Sequence, residues 1–305
     1  MSIWAIADIH ASKRDPRTGE LSKPMDVFGA NWANHLTRLE ENWHAAVQHD
    51  DTVIIAGDTD WALYLDDAME TIDLISSWPG RKILLRGNHD YWWSSKTTSK
   101  VRNVLPSDIV ALHNDAVQIE GFNICGAKGS PVPGGIDWTP QHAKLLNREE
   151  QRLEMSLAAS DPSLPIIVAM HYPPFFPSSG PGEYCEILER WHVACVVYGH
   201  LHGAAATSGP ANEHSGVRYR IVAGDAVEFR PVLIARDGKL TIDGGRKEIV
   251  AMSEEQDPES LRSLVNAELE EKRREVGSEA EAEELYDLPV GGEELAESLP
   301  DREKD

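Results

Sequence analysis

Five short apolar runs limit what this chain can fold into: "SIWAIAD" (2–8), "DTVIIAGD" (51–58), "RKILLRG" (81–87), "LPIIVAMH" (164–171) and "HVACVVYGH" (192–200). They are apolar at successive rather than alternate positions and rich in Ile and Val, and helix-like stretches at 32–47 and 61–77 separate the early ones. That pattern predicts strands buried on both faces, and so a mostly parallel sheet with helices laid along it. Later segments, "AVQIEGFNICGA" (116–127), "VRYRIVAGDAVEF" (217–229) and "PVLIARDGKLTI" (231–242), alternate or turn sharply and predict antiparallel meanders. Two such sheets packed face to face, with helices outside, make an α/β fold of four layers, an α/β/β/α sandwich. No repeat at a fixed period competes with this reading.

All five runs stop at groups that bind metals. The first delivers Asp8 and His10, the second Asp58 after Gly57, the third Asn88 and His89, the fourth His171, and the fifth His200 and His202. In open α/β sheets, ligands collect at the carboxyl ends of the strands, where the loops converge. Residues i and i+2 of an extended segment point the same way, so Asp8 with His10, and His200 with His202, can each reach one cluster. Carboxylate, imidazole and amide oxygen together suit borderline first-row divalent ions: Mn, Fe, Zn, Co or Ni. The other seven histidines (His35, His44, His49, His113, His142, His192 and His214) lie off the pattern and read as structural.

At 305 residues the chain is long enough for a substantial core, and its three cysteines, Cys125, Cys185 and Cys195, form neither a disulfide framework nor a zinc ribbon. No window approaches the ~18 apolar residues of a membrane span, and the first residues read as a strand rather than a signal peptide, so a cytoplasmic protein without a membrane partner is expected. Charge divides the chain. Residues 253–305 hold 19 acidic and 6 basic residues, which is −13 of the net −22. We therefore expect a catalytic domain over 1–252 and an acidic tail over 253–305, largely disordered or weakly helical. Within it, residues 260–276 could form one helix sharing Leu261, Leu264, Val265 and Leu269 on a face. The tail either keeps the protein soluble or docks on a protein partner. Overall acidity argues against non-specific nucleic-acid binding, because phosphates would be repelled.

Asp8-Ile-His10, Gly57-Asp58, Gly87-Asn88-His89-Asp90, the isolated His171 and Gly199-His200-Leu201-His202 resemble the ordered motif set of the calcineurin-like metallophosphoesterases, across residues 1–242. The resemblance implies the metallo-dependent phosphatase sandwich and two divalent ions. One would be held by Asp8, His10, Asp58 and His202, the other by Asp58, Asn88, His171 and His200, with Asp58 bridging. Two divalent charges exceed those of Asp8, Asp58 and a bridging hydroxide nucleophile, which favours an anionic phosphoryl oxygen. The resemblance also implies that His89 is no ligand but the general acid for the leaving oxygen. Asp90 would bond the far side of that imidazole; its alternative is a helix N-cap before "YWWSSKTTSK". Asp60 reads as a supporting or structural group.

Substrate is less constrained. "LLRGNHD" also resembles the serine/threonine phosphoprotein phosphatases, but their GDxVDRG block is "GDTDWAL" here and its phosphate-gripping arginine is missing. A small-molecule or nucleotide phosphoester is the expected substrate. A nuclease or phosphodiesterase of the same fold, or a non-catalytic metal-binding scaffold, is the alternative. Lys13 and Lys23, with Arg14 and Arg17, follow His10 and could steer a phosphate or merely form a solvated loop. Lys128 is a weaker candidate of that kind. Trp61, Tyr91, Trp92, Trp93 and Trp138 could stack on a leaving group or pack the core, and residues 171–184 form a Pro/Gly-rich rim.

Overall fold

The computed structural model describes residues 1–15 and 17–242. The boundary expected at 252 and the tail at 253–305 lie outside the described residues. Strands β1 (Ser2–Ile6), β2 (Thr52–Ala56), β3 (Arg81–Leu85) and β4 (Ile109–Ala111) run parallel in one sheet. Strands β5 (Ala116–Ile119), β6 (Phe122–Ala127), β7 (Ile166–Met170), β8 (Cys195–Tyr198), β9 (Asn212–His214) and β10 (Val217–Ile221) form the other, while β11 (Val232–Arg236) and β12 (Lys239–Leu240) return to the first. The spatial orders are β12-β11-β1-β2-β3-β4 and β5-β6-β7-β8-β10-β9. Each sheet thus has four parallel strands flanked by antiparallel ones.

The apolar runs have the predicted cause. Along β2, Val53 and Ile55 face the helices α1 (His35–Ala46) and α2 (Leu65–Ser77), whereas Ile54 and Ala56 face the second sheet. Along β7, Val168 and Met170 face α4 (Ala143–Ala158) and α5 (Glu183–Arg190), while Ile167 and Ala169 face the first sheet. The short α3 (Thr98–Val104) leads into β4. Three apolar layers therefore separate helix, sheet, sheet and helix, as expected. Each fully buried aliphatic side chain contributes roughly 1.5–3 kcal/mol.

The meander reading holds for the antiparallel β11–β12 hairpin but not between the 217–229 and 231–242 segments. β10 pairs parallel with β8 and antiparallel with β9, and β11 crosses to lie antiparallel beside β1. The expected helix at 61–77 also starts late. Trp61 donates its backbone N–H to the Ala11 carbonyl at 2.9 Å, which holds the segment after β2 extended until Leu65.

One charge is sunk into this core. Lys82 on β3 is 1% exposed, and its Nζ donates to the Ser76 and Trp78 carbonyls, 3.1 and 2.6 Å away, at the end of α2. It also reaches Asp108 Oδ2 at 2.8 Å. The ammonium so answers the negative end of α2. Partial burial works against a charged Asp108, but Lys82 outweighs it and holds the carboxyl below the usual range. Asp108→Asn should cost about 1.5–3 kcal/mol near neutral pH. A folded value below the unfolded one means this stability is present above about pH 4 and lost as pH falls through the lower folded value. Urea unfolding of both proteins between pH 3 and 7 checks this; a gap that does not narrow in acid contradicts it.

Candidate metal centre

The carboxyl edges of the two sheets are joined at Ala7. Its N–H donates to Val222 O at 2.8 Å, and its carbonyl accepts from Gly224 N at 2.9 Å, so the ends of β1 and β10 run side by side. Asp8 and Asp58 leave β1 and β2, Asn88 follows β3, His171 follows β7, and His200 and His202 follow β8. Asp8, His10, Asp58 and His200 all adopt left-handed backbone, with φ of 57°, 48°, 53° and 70°. This region costs an L-residue on the order of 1–2 kcal/mol, and Asp and His tolerate it better than most. Strain of this kind persists where surrounding contacts fix it, characteristically at functional sites. The glycines of the motifs keep the approach open. A Cβ at Gly57 would lie 2.5 Å from His171 Nδ1, and one at Gly87 would enter the Asp58 carboxylate.

Asp8 and Asp58 are 0% and 1% exposed. Asp58 Oδ2 stands between two imidazoles, 3.6 Å from His10 Nε2 and 3.3 Å from His171 Nε2, while Oδ1 accepts the His89 backbone N–H at 2.8 Å. Asp8 Oδ1 lies 3.3 Å from His202 Nε2 and 3.8 Å from His10 Nε2, and its carboxylate accepts the His200 N–H at 3.0 Å. Asn88 Oδ1 faces His171 Nε2 at 2.7 Å and His200 Nδ1 at 3.0 Å.

Three imidazoles are held from outside so that their other nitrogen points inward. His171 Nδ1 lies 3.1 Å from Ala56 O, His200 Nε2 3.0 Å from Asp137 Oδ2, and His202 Nδ1 2.8 Å from Asp225 Oδ1. Outer acceptors of this sort fix the tautomer of metal-binding histidines. Burial drives His10 well below its ordinary value, keeping it a neutral donor. Burial also opposes a charge on His202 and His171, but Asp225 with Asp8, and Asp58 respectively, outweigh it and hold both imidazoles above their ordinary value. Burial would raise Asp58 too; His171, His89 and His10 reverse that and hold it well below the carboxylate range. Asp8, His10 and His202, and Asp8, Asp58 and His171, are groups whose donor atoms lie close enough to hold metal ions.

The profile of the calcineurin-like phosphoesterase family matches residues 1–204. The chain belongs to the calcineurin-like phosphoesterase family. As a member it is a phosphoester hydrolase, and its substrate contains a phosphoester. Similar solved structures include a protein of unknown function from Aquifex aeolicus, 17% identical over 76% of this chain and 95% of that one, with a TM-score of 0.40. The phosphopantetheinyl hydrolase from Mycobacterium tuberculosis is 17% identical over 73% and 88%, with a TM-score of 0.46. A protein of Thermus thermophilus is 14% identical over 66% and 81%, with a TM-score of 0.43. No curated protein matches the chain. Among the described residues of this phosphoesterase, no helix is long and apolar enough to cross a membrane.

Asp90 departs from its expected place. Its carboxylate turns away from the imidazole and accepts backbone N–H groups of Thr59, Asp60 and Gly87 at 2.8, 3.1 and 2.8 Å, and the Trp92 indole at 3.2 Å. At His89 Nδ1 stands the Tyr91 hydroxyl instead, 2.9 Å away. Burial, then the Asp58 charge, raises Asp90 to about 6. Neither is it a helix cap, since α3 starts only at Thr98. Asp90 ties the Asp58 loop to the Asn88 loop of this phosphoesterase. Asp60 is structural as well, accepting Ala62 N and the Thr71 hydroxyl at 2.6 and 2.5 Å.

The basic loop is not drawn into the cluster. Lys13 Nζ binds Asp67 at 3.0 Å, with both side chains well exposed, and Lys23 is fixed through its backbone N–H to Ser12 Oγ at 3.1 Å. Lys128 is 7% exposed, and its carbonyl accepts His171 N and Tyr172 N. Trp61, Trp92 and Trp93 all belong to the core, and Trp61 also stacks on His10 with centroids 4.8 Å apart and covers His89 at 4.2 Å. Tyr172, in the rim loop, lies over His200 at 4.0 Å. Sequence reasoning passed over Asp137 and Asp225. Asp225 had a signal, since "AGD" ends the 217–225 run much as "AGD" ends 51–58.

Proposed function

We propose that the protein is a phosphohydrolase that works with two divalent ions, one held by Asp8, His10, Asp58 and His202 and the other by Asp58, Asn88, His171 and His200. The observation that carries this reading is Asp58 Oδ2 standing between His10 Nε2 and His171 Nε2 at 3.6 and 3.3 Å. The donors fit such a pair. Carboxylates, imidazole nitrogens directed inward and one amide oxygen suit Mn, Fe, Zn, Co or Ni. Two cations would also supply positive charge to the buried carboxylates of Asp8 and Asp58. When bound, the ions supply charge against the phosphoryl oxygens and lower the pKa of an attacking water.

The chain's own groups do the rest. Asn88 adds no charge, so the centre stays attractive to an anion. His89 is proposed as general acid. Its Nδ1 meets the Tyr91 hydroxyl, and Nε2 is the nitrogen proposed to pass a proton to the leaving oxygen. Trp61 holds the ring against His10 and keeps water from its face. The chain's acidity and the missing phosphate-gripping arginine favour a small-molecule or nucleotide phosphoester over nucleic acid or phosphoprotein.

The test strips the full-length protein with a chelator, restores Mn, Zn, Fe, Co or Ni singly, and measures bound metal beside turnover. Nitrophenyl phosphate, bis(nitrophenyl) phosphate and cyclic nucleotides separate monoester from diester chemistry. Two ions per chain with metal-dependent turnover are expected. Two ions without turnover of any substrate would favour a scaffold, and full turnover with one ion would end the binuclear reading.

A further inference from the structure

The histidines of the cluster are not backed alike. His202 Nδ1 meets a carboxylate oxygen of Asp225 at 2.8 Å, and the second oxygen of that carboxylate accepts the Gly203 N–H at 2.9 Å. Asp225 is 6% exposed. It sits in the 3-10 turn Asp225–Val227, directly after Gly224, whose N–H is bonded to Ala7 beside Asp8. The carboxylate is therefore buried, gripped from two sides and clamped to the strand end that supplies Asp8. Among the described residues, His171 Nδ1 is backed by a backbone carbonyl, that of Ala56. His200 is backed by Asp137, whose side chain is 51% exposed.

These differences bear on the nitrogen that faces inward. A buried carboxylate draws the shared proton more strongly than a neutral carbonyl and leaves the opposite nitrogen the better donor. Water screens an exposed carboxylate and weakens the same effect. Formal charge points the same way. Asp8 and Asp58 both serve the position of His10 and His202, whereas the position of Asn88, His171 and His200 has only the shared Asp58.

We propose that Asp225 is a positioning residue that makes the Asp8–His10–His202 position the tighter of the two, so that the ions enter in order. The inference rests on the binuclear reading above. It assigns a role to a residue beyond 1–204, the part of the chain that the family profile matches.

The experiment titrates chelator-stripped, full-length protein with Mn2+ or Zn2+ in a calorimeter and measures metal retained after dialysis. The unmodified protein should bind two ions in two resolved steps. Asp225→Ala should weaken the tighter step by about 10–100-fold and leave the looser one within about threefold. Asp137→Ala should move the looser step alone. Asp225→Asn, whose single amide oxygen can meet His202 or Gly203 but not both, should fall between. The melting temperature of the stripped protein separates positioning from folding, and Asp225→Asn should leave it unchanged. If Asp225→Ala does not fold, the asparagine variant decides the matter, and an unaltered first step in it overturns the proposal. Two unaltered steps in Asp225→Ala overturn it likewise while the binuclear reading stands. A wild-type protein that binds fewer than two ions overturns that reading, and this inference with it.

Discussion

Asp58→Asn should lose both ions on dialysis, and its turnover should fall by about 10³–10⁵-fold. The magnitude follows from several kcal/mol of charge stabilisation supplied by a two-metal centre, at tenfold in rate per 1.36 kcal/mol. The mechanism follows from position. Asp58 Oδ2 lies between His10 and His171, so removing its charge would leave the two proposed cations to repel each other across a neutral amide. Asparagine is a cleaner choice than alanine because it tolerates the φ of 53° and keeps an acceptor for the His89 N–H. Asn88→Ala is the informative contrast. It removes one neutral donor from one position, so a single ion should be lost and excess metal should restore part of the activity. Metal content by mass spectrometry beside kcat/KM checks both variants. Retention of two ions by Asp58→Asn would show that Asp58 does not bridge.

His89→Ala should behave in the opposite way, keeping its metals and losing chemistry. The contact that matters for the centre is the backbone N–H of residue 89 to Asp58 Oδ1, which the substitution leaves in place. The imidazole is joined through Nδ1 to the Tyr91 hydroxyl. A loss of about 10²–10⁴-fold in kcat is expected for an alkyl phosphate, as for general acids elsewhere, with no rescue by added metal. For a nitrophenyl ester the deficit should shrink, because that leaving group departs without a proton. Tyr91→Phe should give a smaller version of the same leaving-group dependence. Equal impairment on both substrates, or loss of metal from His89→Ala, would remove His89 from the acid role and leave the metal centre standing.

Much of this could be read from residues alone, for a physical reason. A strand buried on both faces has no choice but to be apolar, so a carboxylate or imidazole at its end stands out, and the parallel sheet gathers such ends at one edge. Asp8, Asp58, Asn88, His171 and His200 were legible in that way. What was not legible depends on partners distant in sequence. Nothing in "RPVLIAR" says that β11 will leave β10 and join β1, because the pairing is settled by which sheet has an open edge. The resemblance assigns Asp90 to the neighbouring imidazole, yet four N–H donors, two from the Asp58 loop and two from its own loop, compete for it and win. Asp137 and Asp225 stand beside His200 and His202 only after the fold brings loops 63 and 23 residues away onto them.

The position of β1 also bears on how the molecule is made. It leaves the ribosome before the other described strands and lies inside its sheet, yet one of its neighbours is β11, with Trp4 opposite Leu233. Asp8 likewise waits for the His200 N–H, 192 residues later. At about 5–20 residues per second, translation spends roughly 10–40 s on that interval. Throughout it the nascent chain carries an unsatisfied strand edge and an Asp8 still without His200 and His202. The centre is therefore among the last features to assemble, and a truncated transcript or early release would yield a chain with neither a closed sheet nor a site.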